Sequence, residues 1–275
     1  MTGIPKFIYG TAWKEDETER LTRLALDNGF RAIDTANQRK HYFEAGVGAA
    51  VARAVEDGVV TRDALFLQTK FTYLDGQDHR LPYDADADAA TQVQQSFASS
   101  LEHLRVDVID SFVLHGPSRR RGLAPVDIDV WHSMEQLHTS GKTSRLGISN
   151  VAIDQLEQLC GTAGVKPAFV QNRCFAVMAW DRDVRDFCRA NGIIYQGFSL
   201  LTANVRELQR REFWEIVDRV ERTPAQVVFR FAAQIGILPL TGTTKAEHMR
   251  QDLDIEDFEL SEDEVQRIES IAVGG

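Results

Sequence analysis

The chain has 275 residues, 43% hydrophobic and 26% charged, enough apolar material for one large core in an ordinary globular protein. Its formal net charge of -10 argues against nucleic acid or an anionic membrane surface as the main partner. The start, MTGIPKFIYG, lacks a basic segment followed by an apolar run, and no stretch nears the roughly 18 apolar residues of a membrane span, so a cytoplasmic location without membrane contact is expected.

In chain order, PKFIYG reads as a strand ending at Gly10, Thr11, Ala12 and Trp13. DETERLTRLALDNGF follows as a helix with Leu21, Leu24, Ala25 and Phe30 on one face, stopped by Asn28 and Gly29. The strand RAID ends at Asp34, a polar loop follows, and a helix runs from about Glu44 to Asp57. The strand ALFLQTK, a long acidic loop, the helix DAATQVQQSFASSLEHLR and the strand VDVIDSFVLH repeat the pattern. GPSRRRGLAPVDID is a second long loop, before the helix VWHSMEQLHTSG; loops of that length are commonly functional. Strands SRLGIS, FVQNR, IIYQGFS and ILPLT then alternate with helices in AIDQLEQLCGTAG, RDVRDFCRANG, VRELQRREFWEIVDRV and TPAQVVFRFAAQIG. The chain closes with helices AEHMRQDL and SEDEVQRIESI. Eight strands alternating with helices predict an α/β protein, a single (β/α)8 barrel domain over residues 1–275. No GxGxxG follows the first strand, which removes the main support for an open dinucleotide-binding sheet.

Polar residues recur where the strands end: Asp34, Lys70, His115, Ser149 with Asn150, and Gln171 with Asn172. In a parallel barrel the carboxyl ends of the strands share one face, so these residues can meet. A carboxylate ending an apolar strand needs a partner if buried, and Lys70 supplies one. Tyr42 lies in the loop after Asp34; an ammonium beside its hydroxyl is expected to lower the phenol pKa and make it a general acid, with His115 bonding the same oxygen. That arrangement suits carbonyl reduction, with hydride arriving at carbon and a proton at oxygen. No carboxylate and histidine cluster has metal-ligand spacing, and the odd count of Cys160, Cys174 and Cys188 favours free thiols.

IDTANQRKHYFEAGVG, LQTK, FVLHGP, LGISN and VQN together resemble the aldo-keto reductase family, over nearly the whole chain and in the same order. The resemblance implies a (β/α)8 barrel holding NADPH, less often NADH, and reducing aldehydes or ketones with Asp34, Tyr42, Lys70 and His115. It implies a cofactor site of Gly10, Thr11 and Ala12 at the first turn, with Ser149, Asn150 and Gln171 for the carboxamide. Phe198, Ser199 and Leu201 are implied beside the nicotinamide, and Thr241, Gly242, Thr243, His248, Gln251 and Asp252 at the adenosine end. Several positions depart from the family pattern. The loop from Asp34 to Tyr42 is longer, Phe198 replaces a stacking tyrosine, and the amino-terminal hairpin that covers the barrel floor is shortened to MTGIPK. Gly116 stands where a tryptophan is common, which widens the substrate pocket. Leu240 and His248 stand where NADPH-dependent members carry Lys and Arg, leaving Lys245 and Arg250 as substitutes; NADPH is expected over NADH. A monomer is the family's commoner state. A different role known for relatives of this fold, a cofactor-binding redox sensor or regulatory subunit, is disfavoured by the complete set of four residues.

Overall fold

In a computed structural model describing residues 3–272, strands form at β1 (Ile8–Gly10), β2 (Ala32–Asp34), β3 (Phe66–Phe71) and β4 (Ser111–Leu114). They continue with β5 (Leu146–Ser149), β6 (Phe169–Arg173), β7 (Ile194–Phe198) and β8 (Ile237–Thr241). Each strand pairs in parallel with its successor and β8 pairs with β1, so the expected barrel closes. Parallel neighbours require a crossover, and helices supply it: α1 (Thr18–Asp27), α2 (Glu44–Glu56), α3 (Ala89–Leu104), α4 (Pro125–Thr139), α5 (Ile153–Thr162) and α6 (Arg182–Ala190). Between β7 and β8 lie α7 (Arg211–Val220) and α8 (Pro224–Gln234), and α9 (Ala246–Leu253) and α10 (Glu262–Glu269) follow β8. Among the described residues no helix is long and apolar enough to cross a membrane.

Successive side chains on a strand point to opposite faces. Ile8, Ala32, Phe66, Phe169, Leu238 and Leu240 therefore form an inner apolar cluster, while Ile33, Leu67, Val170 and Tyr195 face outward into the larger core under the helices. Phe66 and Phe169 meet edge to face across the barrel, ring centres 5.5 Å apart. One inward step further along the same strands come Asp34, Gln68, Gln171 and Gln196, with Asp34 in register with Gln68 and Gln171 with Gln196. A polar layer thus rests on an apolar one.

The boundaries that differ most from the sequence reading are those of α4, α7 and β4. Helix α4 begins five residues early, inside the loop expected to reach Asp129, because Pro125 occupies its first position and the Asp127 carboxylate accepts the Ala124 N–H at 2.7 Å. Helix α7 begins at Arg211 instead of Val205, since Arg210 holds extended backbone after a 3-10 turn. In VDVIDSFVLH only Ser111–Leu114 forms strand, with Ile109 making an isolated bridge to Thr143. At the barrel floor Phe7 packs edge-on against Phe30 and Phe229. A groove of about 490 Å³ is formed there, lined by Pro5, Phe7, Ile194, Ile237 and Leu238 among others; Met1 and Thr2 of the MTGIPK segment lie outside the described residues.

Helices α2 and α3 touch through backbone at Gly48. A Cβ there would lie 1.9 Å from the His103 carbonyl oxygen and 2.8 Å from Leu104 Cα. Alanine ordinarily favours a helix over glycine by about 1 kcal/mol, but here overpacking decides the sign. Gly48→Ala is expected to destabilise the fold by about 3 kcal/mol, read as a lower urea midpoint; an unchanged midpoint would show that the two helices part without strain.

Candidate active site

At the mouth of the barrel the Asp34 carboxylate and Lys70 ammonium form a pair shut off from solvent. Lys70 Nζ donates to Oδ1 and Oδ2, both at 2.7 Å, and to the Thr35 carbonyl at 2.8 Å. Its three N–H donors are thereby used within the protein. Burial pushes the Lys70 pKa below its ordinary value, and the Asp34 charge pulls it partly back.

The Tyr42 ring lies with its centre 5.1 Å from Lys70 Nζ and 5.9 Å from the His115 ring, so the longer loop brings the expected tyrosine to the lysine and histidine. Its hydroxyl makes no hydrogen bond among the described residues. The expected lowering of its pKa is not what the surroundings produce. Burial, and secondarily the Asp34 charge, raise it well above the ordinary phenol value, so Tyr42 is protonated at any working pH. Burial, with Lys70 and His41 nearby, depresses His115 to about 3, so its imidazole is neutral. His115 Nδ1 lies 2.7 Å from Thr72 Oγ1, a partner the sequence reading missed. Thr72 stands two residues after Lys70 in the long acidic loop, which gives a signal only once the loop's path is known.

The tyrosine loop is fastened on several sides. Gln38 Nε2 donates to the Gly76 carbonyl at 2.7 Å, Gln77 Nε2 to the Asn37 carbonyl at 2.9 Å, and the Trp13 N–H to the His41 carbonyl at 2.7 Å. Just past Tyr42, the buried Glu44 carboxylate accepts from Thr69 Oγ1 and pairs with His103 Nδ1 at 3.0 Å. Trp13, 70% exposed, stacks against His41 with ring centres 3.9 Å apart and forms a pocket wall.

Further around the rim, Ser149 Oγ donates to the Gln171 carbonyl at 2.6 Å and Asn150 Nδ2 to the His115 carbonyl at 2.8 Å. Asn150 and Ser199 hold left-handed backbone, φ 51° and 57°, a conformation worth about 1 kcal/mol or more of strain that recurs at ligand sites. These residues line a cavity of about 750 Å³ together with Gly10, Ala12, Asp34, Tyr42, His115, Gln171, Phe198, Leu201, Thr241, Gly242, Thr243 and His248. Arg173, whose guanidinium lies 5.7 Å from the Phe198 ring centre, lines it as well.

Four expected site residues lie elsewhere. Lys70 is buried beneath the lining, Thr11 is turned inward with Oγ1 donating to the Asp34 carbonyl at 2.9 Å, and Gln251 and Asp252 lie outside the lining. Of the two cations expected to replace the missing pair, Arg250 is committed to Asn28 Oδ1 at 2.8 Å and Lys245 is not part of the lining. Lys14 was not singled out from the sequence. Its Nζ donates to the Gly242 carbonyl at 2.7 Å and lies over the Tyr9 ring, and burial lowers its pKa to about 8. Among the described residues no group of histidine, cysteine and carboxylate side chains is arranged to hold a metal ion.

A sequence model described as the Aldo/keto reductase family matches residues 6–273. The chain is 28% identical over 256 residues to a glyoxal reductase of Bacillus subtilis, covering 93% of this chain and 84% of that one. It is 29% identical over 293 residues to deoxymugineic acid synthase 1 of Zea mays, covering 98% and 88%. The fold matches that of a Bombyx mori aldo-keto reductase solved with NADP at a TM-score of 0.82 and 24% identity, covering 98% and 89%.

Asp252 is 2% exposed, and burial raises its pKa from 3.8 to about 7, although a hydrogen bond with Thr241 acts in the opposite sense. The folded protein therefore holds an extra proton between those values. The resulting stability is fully present below the unfolded pKa and lost as pH rises through about 7. Asp252→Asn should flatten this part of the stability curve, gaining on the wild type at alkaline pH relative to acidic pH; parallel curves in urea titrations at several pH values would refute the assignment.

Proposed function

The chain belongs to the aldo-keto reductase family, and we propose that it is an NADPH-dependent oxidoreductase reducing a small or medium aldehyde or ketone to the alcohol. The observation that carries this reading is the meeting of Tyr42, His115 and the Asp34–Lys70 pair at one end of the cavity.

A reduced nicotinamide supplies the hydride when bound. The chain supplies the proton and the field around the developing alkoxide. Tyr42 enters the reaction protonated, as an acid must, and its phenol gives up the proton as negative charge builds on the carbonyl oxygen. Lys70 favours the phenolate left behind through its charge, since its donors are taken by Asp34 and Thr35. Asp34 keeps that ammonium charged in a buried setting. His115 is neutral and orients the substrate oxygen by donating from Nε2. That tautomer requires Thr72 Oγ1 to donate to Nδ1.

For the cofactor, the chemistry of the cavity fits a dinucleotide. Polar Ser149, Asn150 and Gln171 stand at one side of Phe198, whose flat ring suits stacking. Thr241, Gly242, Thr243 and His248 line another part of the cavity, with Lys14 bonded to Gly242 behind them. Lys14 is a cation with no carboxylate partner among the described residues and is bonded to Gly242 in the part of the cavity assigned to the adenosine end, which favours the extra phosphate of NADPH over NADH. The NADP held by the Bombyx mori protein is a precedent on this fold. We propose Gly10, Ala12, Ser199 and Leu201 as further contacts; Thr11 and Asp252 act from behind through Asp34 and Thr241.

Tyr42→Phe is expected to lower carbonyl-dependent NADPH oxidation at least about 100-fold while leaving NADPH binding within about twofold. A near-wild-type rate would assign the proton to another group, and cofactor binding without turnover in the wild type would point to a sensor. A clear preference for NADH in kcat/KM would overturn the cofactor assignment. Thr72→Val, which frees His115 to adopt either tautomer, is expected to lower kcat about five- to tenfold with little change in cofactor affinity; an unchanged kcat would remove Thr72 from the mechanism.

A further inference from the structure

Gln68 and Gln196 come from β3 and β7, which are not neighbours, and both are fully buried where they meet inside the barrel. Gln68 Nε2 donates to Gln196 Oε1 at 2.8 Å, and Gln196 Nε2 donates back to Gln68 Oε1 at 3.0 Å. The same Gln68 Nε2 donates to Asp34 Oδ1 at 2.7 Å. Gln171 Nε2 donates to Asp34 Oδ1 at 3.0 Å and to Gln196 Oε1 at 2.9 Å.

Only one arrangement of these amides satisfies every contact. An ionised carboxylate accepts and never donates, so Asp34 forces the NH2 ends of Gln68 and Gln171 toward itself. Both NH2 groups then face Gln196, which must answer with its oxygen; turned the other way, it would set N–H against N–H in a buried layer. Gln171 is left with both side-chain N–H groups occupied and its side-chain oxygen Oε1 without a partner among the described residues, in a side chain that lines the cavity.

We propose that Gln68 and Gln196 are positioning residues that lock the Gln171 amide with Oε1 toward the cavity, so that this point of the site selects a ligand offering an N–H donor, a primary carboxamide. The inference rests on the reading of this cavity as the nicotinamide site. Asp34 alone is a weaker lock, because it engages one of the two Gln171 N–H groups and leaves the second to be satisfied from the cavity. Gln196 closes that option, and Gln68 holds Gln196 in place.

The test compares the Kd of NADP with that of its 3-acetylpyridine analogue, which keeps the ring carbonyl and lacks the N–H donor, by calorimetry. The wild type is expected to favour the carboxamide about 3- to 10-fold. In Gln196→Met this ratio should fall by about that factor while both ligands still bind. The Gln68→Met/Gln196→Met pair, which removes both amides together and leaves neither unpaired against the other, should show the same fall and keeps the test available if the single variant fails to fold. Gln171→Met should abolish the preference, and adding Gln196→Met to it should change the ratio no further, which separates action through Gln171 from a general loosening of the barrel. A ratio unchanged in the folded Gln196 variants, or no preference in a wild type that binds both ligands, overturns the inference alone. Failure of the wild type to bind either ligand overturns the cofactor reading on which it rests.

Discussion

A carboxylate taken out of water at the centre of a barrel costs several kcal/mol unless charge and hydrogen bonds replace the lost solvent, and Asp34 is in that position. Its two oxygens accept four hydrogen bonds, two from Lys70 and one each from Gln68 and Gln171. The strand register is what makes this possible. Asp34 lies beside Gln68 across the β2–β3 pair, and Gln171 beside Gln196 across β6–β7, so donors from opposite sides of the barrel reach one oxygen. Beneath them the layer is apolar, with Phe66 and Phe169 edge to face, which denies the polar layer any partner from below and leaves it to satisfy itself.

The same saturation shapes the chemistry above. With Asp34 and Thr35 taking its donors, Lys70 has no hydrogen bond to spare for Tyr42, whose ring centre lies 5.1 Å from Nζ, so the influence proposed for it on that phenol is electrostatic. The acid proposed at Tyr42 relies on that field and so needs a fixed distance from its source. The fastenings of the tyrosine loop to Gly76, Gln77 and Trp13, together with the Glu44 contacts to Thr69 and His103, supply that fixity from the loop's own flanks. The extra length of this loop therefore does not slacken the site, because Asn37 and Gln38 along it are bonded to Ser96 and Ser100 of α3 and to Gly76 of the loop after β3.

Much of this was legible in the sequence, for a definable reason. Alternating apolar strands and amphipathic helices carry the barrel, and a polar residue closing an apolar strand is conspicuous, so Asp34, Lys70, His115, Ser149 and Gln171 could be read directly. Gln68 and Gln196 lie inside strands, where one polar residue among apolar ones looks like an outward-facing position; only the closed barrel shows that both point inward. Thr72 and Lys14 depend on the paths of loops after β3 and β1, which no periodicity records. The start of α4 could have been read, since Pro125 and Asp127 have the spacing of a helix beginning, but the polar run before them looked like continuing loop. The direction of the Tyr42 shift is not legible in the sequence, because it is set by the desolvation that burial imposes and by the Asp34 charge, both of which depend on the folded path of the loop.

The electrostatic character of the cavity runs against that of the whole chain, and the local balance explains how. The formal net charge is -10, yet Asp34 is the one carboxylate among the described lining residues, and Lys70 cancels it from directly behind. Arg173 lines the cavity, and Lys14 is buried against Gly242 at its edge; neither has a carboxylate partner among the described residues. Lys14 is also partly desolvated, which lowers its pKa to about 8, so an anion brought beside it would raise that pKa again and be held by its charge. An acidic exterior keeps nucleic acid and anionic surfaces away by repulsion at long range, while at short range, inside a Debye length of about 8 Å, the unpaired cations of the cavity dominate. A compact anion small enough to enter is favoured where an extended polyanion is not, and a phosphorylated dinucleotide meets that condition.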